Sequence, residues 1–153
     1  MTIQAEQIAT ERSTDPGKVV TDFLLALQDQ DIDGAVALLD DDVAWINVSL
    51  PTVRGRRAVE KLFRLSLKIG GGFRVHFHST IAEGDTVFNQ RTDAITLGRF
   101  EQRFWVIGRF EVRDGKIVVW RDAFDWGDYL WGFVRALLGV VSPRLNRPWP
   151  TDK

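Results

Sequence analysis

The sequence predicts an α+β domain, and three observations carry that reading. Helical periodicity is concentrated before residue 70 and again in 126–141, whereas most of 73–124 alternates apolar and polar residues as strands do. The pair Asp114-Gly115, between Val112 and Ile117, marks a hairpin. Helices followed by a run of strands pack as a helical layer on an antiparallel sheet, not as an interleaved parallel one. A sheet curved around its helices leaves a cavity between the layers, and chemistry is expected there.

Each element follows in turn. Residues 1–14 are mixed polar and charged and read as a loosely ordered leader without signal-peptide character. Asp15-Pro16 predicts a helix start, a capping carboxylate followed by proline in the first turn. Val19, Val20, Phe23, Leu24 and Leu27 follow on one apolar face. Asp33 is expected to cap a short second helix through Ala35, Val36, Leu38 and Leu39, with the run Asp40-Asp41-Asp42 ending it as a solvated turn. Residues 43–48 read as a strand that Pro51 closes, and 56–69 as a third helix with Val59, Leu62, Phe63 and Leu65 inward. The basic cluster Arg54, Arg56 and Arg57 before that helix reads as a solvated face. Gly70-Gly71-Gly72 breaks the chain but is no phosphate loop, because no Lys-Ser or Lys-Thr pair follows and a strand comes next.

Strands are expected over 73–81, 86–97, 104–112 and 117–124. A last helix spans 126–141, with Leu130, Phe133, Val134, Leu137 and Leu138 at helical spacing. Core packing is its expected use. Covering the pocket mouth, a dimer interface and membrane-surface contact are the other uses of such a face. Pro143, Pro148 and Pro150 mark a Pro-rich tail over 143–153, which leaves 15–142 as a single domain.

Composition excludes several classes of function. A chain of 153 residues, 44% hydrophobic, can bury a core of its own. A net charge of −1 argues against a nucleic-acid partner. Without cysteine there is no disulfide, thiolate metal site or cysteine nucleophile. No apolar run is long enough for a membrane span, so a cytoplasmic protein is expected. Six tryptophans and ten phenylalanines are enough to fill a core or to line an apolar pocket.

Two strands carry unusual charges. Side chains alternate along a strand, so Arg91 and Asp93 share a face with Val87 and Ile95, which marks that face as buried. Val118, Trp120, Asp122 and Phe124 likewise share a face, with Arg121 turned away, and Asn47 shares one with Trp45. Charges on an apolar face must be paired, and the guanidinium of Arg91 has the donors to bridge Asp93 and Asp122. Two carboxyls whose environments push their pKa values apart can serve as acid and base in opening a strained ring ether. An asparagine can hold the attacking water, and such chemistry needs no metal, flavin or nucleotide. The same Arg-x-Asp pattern also occurs in purely structural ion pairs.

Trp45-Ile46-Asn47, Arg91-Thr92-Asp93 and Trp120-Arg121-Asp122-Ala123-Phe124-Asp125 occur in this order with separations that resemble the limonene-1,2-epoxide hydrolases, and the hairpin from Gly108 to Ile117 is similar too. The likeness spans about residues 16 to 130. It implies a cone-like α+β fold, in which helices close a strongly curved mixed sheet into a deep apolar pocket, and a homodimer. It implies that Asp93 protonates the epoxide oxygen, Asp122 activates water, Arg91 ties the two together and Asn47 holds the water. The substrate is then a bulky apolar epoxide, terpene-, sterol- or lipid-like, and the product a vicinal diol, with no cofactor. Trp45, Trp120 and Phe124 are the expected substrate- and water-positioning residues. The family has a tyrosine where this chain has Trp45, and an indole donates one hydrogen bond but accepts none. Tyr129, the only tyrosine, lies beyond the last strand.

The same fold also carries steroid isomerases, polyketide cyclases and non-catalytic carriers of apolar ligands, so the fold alone does not decide. An arginine between two carboxylates and the expected lack of a pocket tyrosine argue against an isomerase. A carrier would leave three buried charges without use. His76 and His78 share a strand face and have metal-binding chemistry, but no third ligand is near in sequence, so a sheet-surface role is expected.

Overall fold

A computed structural model describes residues 15–151, so the expected leader at 1–14 lies outside the described residues. Helix α1 (Pro16–Gln28) begins where Asp15-Pro16 predicts, the Asp15 carboxylate accepting from the Gly17 N–H at 3.0 Å. All five of its expected apolar residues are buried. Helix α2 (Ile32–Ala37) is capped by Asp31 instead of Asp33, because the Asp31 carboxylate reaches the Gly34 N–H at 2.9 Å.

The acidic run does not end that helix. It lies within β1 (Leu39–Asn47), where pairing with β6 (Lys116–Ala123) skips from Leu39↔Ile117 to Ala44↔Val119. The three aspartates occupy this bulge, with Asp41 and Asp42 in solvent. Arg56, on the expected solvated face, is ion-paired to Asp41. The short β2 (Val53–Arg54) leads into α3 (Arg56–Lys68), which buries Val59 and turns Leu62, Phe63 and Leu67 toward the cavity. Leu65, expected inward, is 53% exposed because it falls on the opposite side of the helix.

Strands β3 (Gly71–Glu83), β4 (Thr86–Leu97), β5 (Phe100–Arg113) and β6 complete a six-stranded sheet of order β2-β1-β6-β5-β4-β3. Only β1 and β6 run parallel; the other pairs are antiparallel. The sheet is therefore mixed, as the resemblance implies, and not antiparallel throughout. Helix α1 packs against β3, β4, β5 and β6, so its apolar face covers one side of the sheet.

Helix α4 (Trp126–Val141) has the expected bounds but the opposite orientation. Its buried stripe is Gly132, Ala136 and Gly139, while Leu130, Phe133, Val134, Leu137 and Leu138 are all 42% or more exposed. The cause is the edge it covers. Strand β5 runs on past β6, whose last pair is Ile107↔Ala123, and α4 lies against that protruding half. A Cβ at Gly132 would come within 2.8 Å of the Arg103 carbonyl oxygen, so only a small residue lets helix and strand backbone approach. After α4, a 3₁₀ turn at Pro143–Leu145 leads into a docked tail. The Asn146 amide donates to the Glu101 carbonyl, Arg147 forks onto Asp128, and Trp149 lies 4.1 Å beneath the Arg74 guanidinium.

Candidate active site

The sheet and helices enclose a cavity of about 350 Å³. The pairing register explains what reaches it. Asn89 on β4 lies opposite Gly108 on β5, Gly108 opposite Asp122 on β6, and Asp122 opposite Asn47 on β1. Four neighbouring strands thus contribute one cross-strand row, with a glycine where a side chain would otherwise stand. Arg91 and Asp93 follow Asn89 along β4 on the same face.

Arg91 is fully buried, and Asp93 and Asp122 nearly so. The Arg91 Nε–H donates to both oxygens of Asp93, at 2.9 and 3.1 Å. Nη1 donates to the Asn89 side-chain oxygen at 2.8 Å, and Nη2 meets Asp122 Oδ2 at 2.7 Å. This last contact is a charge pair off the line of the N–H bonds, since Nη2 makes no aligned hydrogen bond. Oδ1 of Asp122 likewise has no partner among the described residues. The Phe110 ring, 5.9 Å from the guanidinium carbon, supports the cation from below.

Burial pushes the Asp93 carboxyl up to about 6, against the pull of Arg91, and the Asp122 charge adds to the rise. Burial alone would lower the pKa of Arg91, but the charges of Asp122 and Asp93 outweigh it and hold the guanidinium above its ordinary value. The site thus holds a permanent cation and a carboxyl that takes its proton near neutral pH.

Aromatic rings form the walls. Trp45 and Trp120 stack at 4.6 Å between ring centres, with Phe63 against both. Phe104, Phe124 and Tyr129 form a second cluster. Trp45, Asn47, Asp93, Trp120, Asp122 and Phe124 all line the cavity, so the structure brings the sequence-predicted residues together, with Arg91 behind the two carboxylates. The indole N–H groups of Trp45 and Trp120 are buried without partners among the described residues.

Tyr129 also lines the cavity, which corrects the expectation that the pocket lacks a tyrosine and removes that argument against an isomerase. Its position follows from the Gln102 side chain, which donates to the Tyr129 carbonyl at 3.0 Å and draws the start of α4 to the cavity rim. Sequence reasoning also passed over Asn89 and Gly108. The signal for Asn89 was available: it stands two residues before Arg91 and therefore shares its buried face. His76 and His78 lie off the cavity, with His78 Nε2 2.9 Å from the Thr92 hydroxyl and the His76 ring near Trp149. No cluster of three metal-ligating side chains occurs among the described residues.

Comparison with known proteins points to one family. Residues 14–135 match the family model of the limonene-1,2-epoxide hydrolase catalytic domain. Epoxide hydrolase EphG of Mycobacterium tuberculosis is 42% identical over 125 residues, covering 81% of this chain and 83% of that protein. The solved structure of an M. tuberculosis LEH-like epoxide hydrolase superposes with a TM-score of 0.84 at 40% identity, over 89% of this chain and 96% of that one. A Catenulispora acidiphila protein with a ketosteroid isomerase-like fold shares the architecture alone, with a TM-score of 0.66 at 13% identity over 76% of this chain and 92% of that one.

Proposed function

The chain belongs to the limonene-1,2-epoxide hydrolase family and is an epoxide hydrolase, and on that premise we propose that it adds water to a bulky apolar epoxide in one step, using Asp93 as acid and Asp122 as base. The observation that carries this reading is a single buried guanidinium held between two carboxylates on the wall of an apolar cavity. Asn47 and Asp122, opposite each other on parallel strands, hold the water. Asp122, whose Oδ1 has no partner among the described residues, takes a proton from that water as its oxygen attacks an epoxide carbon. The strained C–O bond breaks, and the Asp93 carboxyl gives its proton to the departing oxygen, leaving a vicinal diol. Each turnover ends with Asp122 protonated and Asp93 ionised, and one proton passed back between them resets the site. The raised pKa of Asp93 supports the acid role, because an ordinary aspartate would rarely hold the proton at neutral pH.

The aromatic walls support an apolar substrate of terpene, sterol or lipid type, with Trp45, Trp120 and Phe124 shaping its seat. The test is diol formation from a panel of apolar epoxides by purified protein, with Asp122→Asn as control. Turnover by the wild type alone supports the mechanism; no turnover by a folded protein that still binds the epoxides favours a carrier.

A homodimer belongs to the same proposal, with α4 as its contact. Trp131 at 57% and Val141 at 83% exposure extend the apolar face already described, and the one basic residue of α4, Arg135, is tied to the carbonyls of Leu145 and Asn146. An apolar face with no free charge suits an isologous contact with its own copy. Sedimentation of wild type and Leu137→Glu tests this: a dimer that the variant dissociates is expected, and a wild-type monomer at micromolar concentration overturns it. Binding of the monomer to lipid vesicles would assign the face to a membrane surface. A cytoplasmic location is also proposed, on the cysteine-free composition, and cell fractionation checks it. No helix among the described residues is long and apolar enough to cross a membrane.

A further inference from the structure

We propose that Asn89 is a positioning residue for the hydrolase reaction: with Gly108 clearing the space, its side-chain oxygen anchors the third arm of the Arg91 guanidinium, so that the other two arms stay divided between Asp93 and Asp122. The inference rests on the acid and base roles proposed above.

Adjacent strands lie about 4.8 Å apart, so β4 and β6, with β5 between them, are separated by roughly 10 Å. Asn89 and Asp122 are too far apart to touch, and the guanidinium spans the gap above β5. It fits because position 108 has no side chain: a Cβ there would lie 2.2 Å from Arg91 Nη1 and 2.6 Å from the Asn89 oxygen. The charge contact to Asp122 is not an aligned hydrogen bond, so it does not itself fix the rotation of the fork. The aligned bonds are those of Nε to Asp93 and Nη1 to Asn89, and together these set the plane of the guanidinium. Arginine only donates, so the Asn89 atom that faces it must be the oxygen.

The Asn89 Nδ2 group is left buried without a partner among the described residues. Such donors cost about 1–3 kcal/mol; a leucine of similar volume would remove this one but would leave Arg91 Nη1 without the acceptor it now has. The amide is therefore kept for the bond its oxygen makes to the guanidinium of the site rather than for packing. Asp93 has Arg91 on its own strand and Asp122 on β6 as its charged neighbours; opposite it stand Val75 on β3 and Phe104 on β5. The position of Arg91 therefore governs how tightly Asp93 holds its proton.

Asn89→Leu and Asn89→Asp test the proposal, with two readouts. The first is the side-chain ¹⁵N spectrum of Arg91, whose two Nη groups give separate signals only while the guanidinium is held from rotating. They are expected to be distinct in the wild type and in Asn89→Asp, which keeps an acceptor, and merged in Asn89→Leu. The second is turnover against pH. In Asn89→Leu, kcat falls about tenfold or more, as for other small misplacements of a catalytic group, with KM little changed. The limb that reports Asp93 moves to higher pH because Arg91 holds that carboxylate less firmly. Unmerged Nη signals together with an unmoved limb in Asn89→Leu overturn the proposal. If Asn89→Leu does not fold, Asn89→Asp decides: merged Nη signals there overturn it. If the wild type opens no epoxide, the acid and base reading fails, while the Nη signals still report whether Asn89 anchors Arg91.

Discussion

Replacing Asp93 by asparagine separates the chemistry of this site from its stability. The Asp93 carboxyl rises from an ordinary 3.8 to about 6 on folding, chiefly through burial. The folded protein therefore binds this proton more tightly than the unfolded chain does. Stability attached to the group is fully present below about pH 4 and is lost as the pH climbs through 6, a loss of about 3 kcal/mol at 1.36 kcal/mol for each tenfold change in proton affinity. Asparagine cannot ionise, so the variant escapes this loss. It carries instead a constant cost of about 1–3 kcal/mol for an amide N–H that the carboxylate site was not built to accept. Asp93→Asn should thus be less stable than wild type at pH 4 and equal or more stable at pH 8. The difference between the two proteins should change by about 3 kcal/mol across that range. Urea unfolding at both pH values measures it. Turnover should fall by roughly 10²–10⁴, the usual contribution of a general acid. Parallel stability curves for the two proteins would refute the assignment of a strained, late-titrating carboxyl to this position.

Asp122→Asn should remove turnover to a similar degree while circular dichroism stays native, because the amide oxygen still faces Arg91; retained activity would sink the base role. Gly108→Ala places a methyl 2.2 Å from Arg91 Nη1, and overpacking of this kind should cost about 1–3 kcal/mol of stability. It should also lower kcat by displacing the guanidinium, and normal kinetics with normal stability would show that Arg91 has room to spare. Chelators should leave turnover unchanged, since the only histidines lie off the cavity and His78 meets the Thr92 hydroxyl. Loss on adding EDTA would direct attention back to His76 and His78.

How much the sequence disclosed depended on whether a feature was periodic or positional. The face of α1 was legible because five apolar residues at helical spacing leave one solution. Arg91, Asp93 and Asp122 were legible because period-two alternation set charges among apolar neighbours, which is costly unless they meet. Helix α4 has two periodic stripes, one large and apolar, one of Gly132, Ala136 and Gly139. Periodicity cannot choose between them. What chooses is the bare backbone edge of β5, known only once β6 is seen to stop at Ala123. Gly108 was hidden for a related reason: a glycine in a strand becomes informative only when the group filling its space is known, and here that group belongs to the neighbouring strand. Tyr129 reaches the cavity through Gln102, a contact spanning 27 residues that no local pattern encodes.

The cone of helices and curved sheet does not itself choose a reaction, since proteins with a ketosteroid isomerase-like fold share it at 13% identity. What distinguishes this cavity is a buried cation that cannot lose its charge, placed where it touches two carboxylates unequally. One receives aligned hydrogen bonds to both oxygens, the other a charge contact that leaves an oxygen without a partner among the described residues. Those aligned bonds favour the ionised form of Asp93, so its raised proton affinity comes from burial, with the Asp122 charge adding to it, and not from Arg91. The inequality follows from the backbone: Asp93 shares a strand face with Arg91, whereas Asp122 stands two strands away beyond Gly108. Geometry of the sheet thus gives the two carboxylates different surroundings around one cation, and the proposed division into acid and base rests on that difference together with the burial of Asp93.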